Sequence, residues 1–211
     1  MIALLSALAL VSGSLHVRAE LSGAKRQAYV WKPLTTVSIL AIAALVPGQA
    51  PPGYRALVVG GLAFSLAGDV FLMLPSDRFL PGLGSFLVAH VLYIGAFSQA
   101  TGFQLSLPAL LPFAVGSGLV LRLLWPHLGS LRAPVVLYVG IIAIMGWQAF
   151  AQWLALGTPA SLCALLGAAL FTVSDSALAL DRFRGAFARA PLAVLGTYYP
   201  AQWLIALSVW Q

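Results

Sequence analysis

Eight apolar runs, roughly 1–17, 33–47, 56–74, 83–100, 108–125, 134–154, 160–180 and 192–210, follow one another along the chain. Short gaps holding most of the charges, prolines and glycines separate them. A helix needs roughly 17–25 residues to cross the hydrocarbon core, so each run is close to a membrane span and 33–47 is the shortest. The runs are continuous rather than alternating, which argues against the strands of a barrel. Only 8% of the residues are charged and 61% are hydrophobic, against about 25% charged in a soluble domain. The expectation is an all-α integral membrane protein, one bundle of eight transmembrane helices forming a single domain over residues 1–211.

The charges in the gaps carry the orientation. Arg18, Lys25, Arg26, Lys32, Arg78, Arg122, Arg132, Arg182, Arg184 and Arg189 fall on one side of such a bundle, and Arg55 alone on the other. Basic residues gather on the cytoplasmic side, so both termini are expected outside the cytoplasm, with the protein in the cytoplasmic membrane. A formal charge of +6 in these gaps reads as topology and contact with anionic lipid, not as a nucleic-acid surface. Arg18 follows the first run instead of preceding it, unlike a secretory signal, so that run is read as a retained helix. The lone Cys163 has no partner in the chain for a disulfide. Trp31, Trp125 and Trp210 lie near run ends and read as interfacial anchors; His16 and His127, near the interfaces too, carry little signal.

Against this background the polar residues inside the runs stand out. Asp69 and His90 lie in GLAFSLAGDVFLM and SFLVAHVLYI, and Asp175 lies in GAALFTVSDSALAL. An aspartate at the centre of a bilayer costs about 2.5–3.5 kcal/mol on insertion scales, so it is rarely there for packing. With the orientation above, Asp69 and Asp175 both sit about 7–8 Å inside the cytoplasmic edge at 1.5 Å per residue. His90, Tyr93, Tyr198, Tyr199 and Gln202 fall in the same half, with Lys32, Thr35 and Thr36 at the start of the second run and Ser174 beside Asp175. A polar layer fed by several helices predicts a cavity there. Each residue also has a structural reading: an aspartate bonded to a neighbouring helix as glue, a core histidine, tyrosines packed with a polar tip. Asp77 and Asp181, beside Arg78 and Arg182, read as surface charges.

The runs around the two aspartates also resemble each other. Gly61 to Asp69 and Gly167 to Asp175 share one spacing, and each run leads to Asp-Arg-Phe. Four runs separate the copies, as in a parallel four-helix repeat.

Several chemistries are excluded or weakened by motif. There is no GxSxG elbow, no HExxH and no phosphate-cradling glycine loop. Ser65, Asp69 and His90 provide the residue types of a serine triad, and Asp69, His90 and Asp175 those of a metal site, but three histidines without paired spacing make weak ligands. Two carboxyls in a dry site share protons unequally, one serving as acid and one as anion. Such a pair suits cleavage through an oxocarbenium-like cation: acetal, glycosidic or enol-ether hydrolysis. No cofactor is implied. A proton-coupled transporter, and a metal-dependent lipid amidase or esterase, stay open beside a metal-free hydrolase.

The segments KPLTT (32–36), FSLAGDVFLM (64–73), FLPGLGSFLVAHVLYI (79–94), LFTVSDSALA (170–179) with DRF (181–183), and TYYPAQWLI (197–205) together resemble the YhhN-type lysoplasmalogenase family of multi-pass membrane proteins. The resemblance implies hydrolysis of the vinyl-ether bond of a lysophospholipid, releasing a fatty aldehyde and a glycerophospho-head group. It also implies that Asp69 and Asp175 are the two functional aspartates. Lys32, His90, Tyr93, Ser174, Tyr198, Tyr199 and Gln202 are then expected to bind substrate, with Lys32 placed to meet a lipid phosphate.

Overall fold

The computed structural model describes residues 1–45, 47–48, 50–76 and 78–210; Asp77 lies outside them. Among the described residues the chain forms eight α-helices and no strand: α1 (Ile2–Leu21), α2 (Lys25–Leu45), α3 (Pro52–Met73), α4 (Phe79–Phe97), α5 (Leu107–Leu124), α6 (Arg132–Leu156), α7 (Pro159–Ala179) and α8 (Ala190–Leu207). The helices α1 to α7 are long and apolar enough to cross a membrane. The 18-residue α8 falls short of that measure because Thr197, Tyr198, Tyr199, Pro200 and Gln202 dilute its apolar residues.

The sequence boundaries shift where polar residues continue a helix. Most notably, α2 begins at Lys25 rather than residue 33, so Pro33 stands inside it. Lys25, Arg26 and Lys32 are good helix formers, and a proline removes one donor without ending a helix in a packed membrane bundle. The helix α1 likewise runs on to Leu21, carrying Arg18 and Glu20 with it.

Turn chemistry fixes the hairpin that holds Asp175. Gly157 takes φ +62°, a left-handed conformation that ends α6 at little cost for glycine. Thr158 then caps α7: its hydroxyl accepts from the Ser161 amide at 3.2 Å, while its own amide donates to Ser161 Oγ at 3.1 Å. Pro159 occupies the first turn, where a missing N–H is harmless. At the other end, α7 runs into a π-turn over Leu180–Arg184.

Hairpin neighbours α1 with α2, α3 with α4, and α7 with α8 pack most extensively, while α4 also lies on α6 and α2 on α8. Small residues set the α3–α4 distance. A methyl group at Gly61 would stand 2.3 Å from the Tyr93 ring, and one at Gly68 would stand 2.6 Å from the Phe86 ring. Both rings therefore lie directly on the α3 backbone, on the face that presents Ser65 and Asp69 to the interior.

Candidate active site

Gly61, Ser65, Gly68 and Asp69 recur at helical spacing on the buried face of α3, which turns Asp69 into the bundle with only 2% of its surface exposed. Its Oδ2 accepts hydrogen bonds from Thr36 Oγ1 of α2 at 2.7 Å and from the Tyr198 hydroxyl of α8 at 2.8 Å. Its Oδ1 stands 3.4 Å from Lys32 Nζ. The ammonium expected at a lipid phosphate is thus turned inward onto a carboxylate. Since a buried charge is tolerated when paired and hydrogen-bonded, the three partners explain how Asp69 persists in the core.

Asp175 is held by other helices. Tyr138 of α6 donates its hydroxyl to Asp175 Oδ2, and His90 Nε2 of α4 stands 3.7 Å from the same oxygen. The His90 ring has no exposed surface, and neither of its nitrogens has a hydrogen-bond partner among the described residues. Its faces and edges are filled by Phe171 at 4.7 Å and Tyr138 at 5.3 Å between ring centroids. The Asp175 side chain, 12% exposed, opens on a cavity of about 50 Å³ whose other walls include Leu83, Phe86, Ile142, Thr172 and Phe183.

The two aspartates, read from sequence as one pair, therefore anchor two clusters. No hydrogen bond or shared polar partner joins them among the described residues. Phe171 touches both clusters, packing edge-on to His90 and, at 5.5 Å, to Tyr198. The arrangement has an internal correspondence. Asp69 on α3 takes partners from α2 and α8; Asp175 on α7 takes them from α6 and α4. Moving four helices along the chain converts one set into the other.

The remaining expected residues distribute unevenly. Tyr93 donates to Gln202 Oε1 at 2.8 Å, tying α4 to α8 within the core. Tyr199 turns to α1 instead, where its hydroxyl meets His16 Nδ1 at 2.7 Å and His16 Nε2 meets Glu20 Oε1 at 3.2 Å. Ser174 donates to the Val194 carbonyl of α8 at 3.1 Å, a helix-to-helix bond rather than a cavity contact. Sequence reasoning passed over Tyr138, a lone tyrosine in VVLYVG, and gave little weight to His16, which is 1% exposed. Neither carries a local signal, because their importance lies in which helix they face. A larger cleft, about 530 Å³, runs between α1 and α8 past Gly13, Tyr199 and Trp203.

A metal finds few ligands here. Among the described residues no three His, Cys, Asp or Glu side chains gather as a metal site, and Lys32 already supplies the positive charge beside Asp69. What the geometry offers is acid–base chemistry in an apolar setting: a carboxyl oriented by a phenol, with an imidazole beside it.

Comparison with known proteins agrees on the kind of molecule. Residues 27–209 match the YhhN family model. Over 200 residues the chain is 30% identical to the uncharacterized membrane protein YhhN of Escherichia coli O6:H1, covering 95% of each. It is 40% identical over 153 residues to the lysoplasmalogenase TMEM86A of Bos taurus, covering 70% of this chain and 62% of that one. It is 39% identical over 158 residues to human lysoplasmalogenase TMEM86B, covering 74% and 64%. No solved structure matches. This multi-pass membrane protein belongs to the YhhN family.

Proposed function

We propose that the protein hydrolyses the vinyl-ether bond of lysoplasmalogen-type lysophospholipids, giving a fatty aldehyde and a glycerophospho-head group. The observation that carries the reading is Asp175 on a mostly apolar cavity with Tyr138 and His90 beside it. The lysoplasmalogenase names of relatives at 37–40% identity supply the substrate class. An enol ether is cleaved by delivering a proton to its β-carbon, which leaves an oxocarbenium ion on the α-carbon. Water adds to that carbon, and the hemiacetal collapses to aldehyde and a free glycerol hydroxyl. One aspartate donates the proton and the other orders the groups around the site. The lipid approaches from the cytoplasmic half of the bilayer, with all eight helices spanning, both termini outside and α8 kept in the membrane by the hydrogen bonds of Tyr198 and Gln202.

The test is aldehyde release by purified protein in detergent, from an alkenyl lysophosphatidylethanolamine, before and after dialysis against a strong chelator. Activity near its starting level on both sides supports a metal-free hydrolase. Loss that Zn²⁺ restores overturns it in favour of a metal-dependent enzyme. The buried Lys32–Asp69 pair also suits a proton-coupled carrier, and protein that moves lipid or solute without releasing aldehyde selects that reading.

A further inference from the structure

We infer that the two clusters divide the work: Asp175 is the proton donor, His90 holds the attacking water, and Asp69 is a positioning residue that does not meet the substrate. This rests on the vinyl-ether reading above and deepens it.

The division follows from which atoms are already engaged. Both Asp69 oxygens are occupied by Lys32, Thr36 and Tyr198, and Asp69 lines neither the 50 Å³ cavity nor the α1–α8 cleft. Asp175 lines the cavity, and both of its contacts among the described residues fall on Oδ2. A phenol that donates to Oδ2 makes that oxygen the acceptor of the carboxyl group. The transferable proton then belongs on Oδ1.

His90 is the second observation. A fully buried imidazole with two unpartnered nitrogens is costly, and buried polar groups are nearly always hydrogen-bonded. Its Nε2 lies 3.7 Å from Asp175 Oδ2, too far for a direct hydrogen bond but close enough for one oxygen atom to reach both groups. His90 itself lines neither cavity; water held there sits between it and Asp175 Oδ2, against the carboxyl that does line the cavity and protonates the substrate. In the balanced sequence, Asp175 gives its proton to the β-carbon as the carbon–carbon π pair forms the new C–H bond. The water oxygen bonds to the α-carbon and its proton passes to His90 Nε2. The hemiacetal hydroxyl then returns its proton to Asp175, and His90 releases its own to the departing glycerol oxygen as the C–O bond breaks. Both groups are restored, and one water is consumed per bond.

The experiment compares wild type with His90→Phe, which keeps a ring in the Phe171–Tyr138 cage, and His90→Gln, which keeps an amide in reach of Oδ2. Aldehyde release from alkenyl lysophosphatidylethanolamine is followed in H₂O and D₂O, with thermal midpoint and size-exclusion profile as checks on folding. Proton transfer to carbon limits kcat/KM in wild type, so a normal solvent isotope effect is expected. In His90→Phe, turnover should fall by about 10²–10⁴-fold and the isotope effect should collapse, because capture by water now limits. His90→Gln should recover much of both. A His90→Phe variant within about tenfold of wild type, well short of the general acid–base range, overturns the inference. A slow variant with an unchanged isotope effect, or a wild type without one, does the same. If His90→Phe does not fold, His90→Gln and the shorter His90→Asn decide, and equal rates for the two overturn the role. A folded wild type that releases no aldehyde removes the vinyl-ether reading itself, a failure distinct from these.

Discussion

Replacing Lys32 with Met isolates what the Asp69 cluster contributes to the fold. The Lys32 side chain is 11% exposed and that of Asp69 3%, so the pair lies in a low-dielectric setting with little screening by solvent. Removing one member of a buried ion pair typically costs about 3–5 kcal/mol, since the other charge is left uncompensated. Asp69 keeps the two hydrogen bonds on Oδ2 from Thr36 and Tyr198, and the Met chain fills the volume of the lysine stem, so the lower end applies: about 3 kcal/mol. At roughly 2–4 °C per kcal/mol for a domain of this size, the unfolding midpoint in detergent should drop by about 6–12 °C. Adding Asp69→Asn to Lys32→Met removes the orphaned charge and should restore most of the loss, giving a clear coupling term in a double-mutant cycle. Thermal melts of the four proteins read the cycle directly. A Lys32→Met protein as stable as wild type, or a double variant no better than the single one, would falsify the account of Lys32 as the counter-charge of Asp69.

The other predictions are shorter. Asp175→Asn should lower aldehyde release by at least about 10²-fold while leaving a folded protein in the membrane fraction; retention of a tenth of the activity, or failure to accumulate, argues for a structural aspartate. Gly61→Ala places a methyl 2.3 Å from the Tyr93 ring and should cost about 1–3 kcal/mol by overpacking. Gly84→Ala, which meets nothing within 4 Å, should be neutral or stabilising by up to about 1 kcal/mol, and paired melts check both. Arg182 lies 4.8 Å over the Phe79 ring, beside two cavity-wall phenylalanines, Phe79 and Phe183. Arg182→Gln should raise KM about fivefold for phosphate-bearing alkenyl lipids, from roughly 1 kcal/mol per interfacial basic residue, and leave a neutral alkenylglycerol unaffected. A reporter fused to the C-terminus should signal the exterior; a cytoplasmic signal means an odd number of crossings and overturns the placement of both termini outside.

Much of this molecule was legible because a bilayer forces local rules. Continuous apolar runs must become helices, since no water is present to satisfy an open backbone, and all eight runs correspond to helices. Asp69, Asp175 and His90 were conspicuous for the same reason: polarity inside such a run is expensive. Boundaries were less legible. The basic stretch before residue 33 reads as a loop by hydropathy, yet Lys and Arg continue a helix readily, which is how Lys32 comes to lie on α2 one turn before Thr36 and reaches the same carboxylate. Facing was not legible at all. Tyr198 and Tyr199 are adjacent, so their side chains diverge by about 100° around α8 at 3.6 residues per turn. One reaches Asp69 and the other reaches His16 on α1. Hydropathy treats the two alike, and only the packing of α8 between α1 and α2 separates them.

The four-helix correspondence explains why the clusters look alike yet differ in chemistry. Gly61 and Gly167 occupy matched places: a methyl on the first would strike Tyr93 of α4, and one on the second would come within 2.7 Å of Ile205 on α8. Each glycine lets its helix close on the next, and each aspartate follows eight residues on, turned toward two other helices. The partners supplied at those interfaces are not matched. In the first half the α2 position contributes Lys32 and Thr36, and the α8 position contributes Tyr198, so the carboxylate is charge-paired and engaged at both oxygens. In the second half, among the described residues, α6 contributes Tyr138 alone and α4 a histidine that stops short of a direct bond. A carboxylate held from three side chains on two helices is a good anchor. One oriented by a single phenol beside a free imidazole has hydrogen-bonding capacity left for a substrate and a water. Two similar halves with dissimilar partners thus supply an anchor in one cluster and a reactive group in the other, with Phe171 in contact with both clusters.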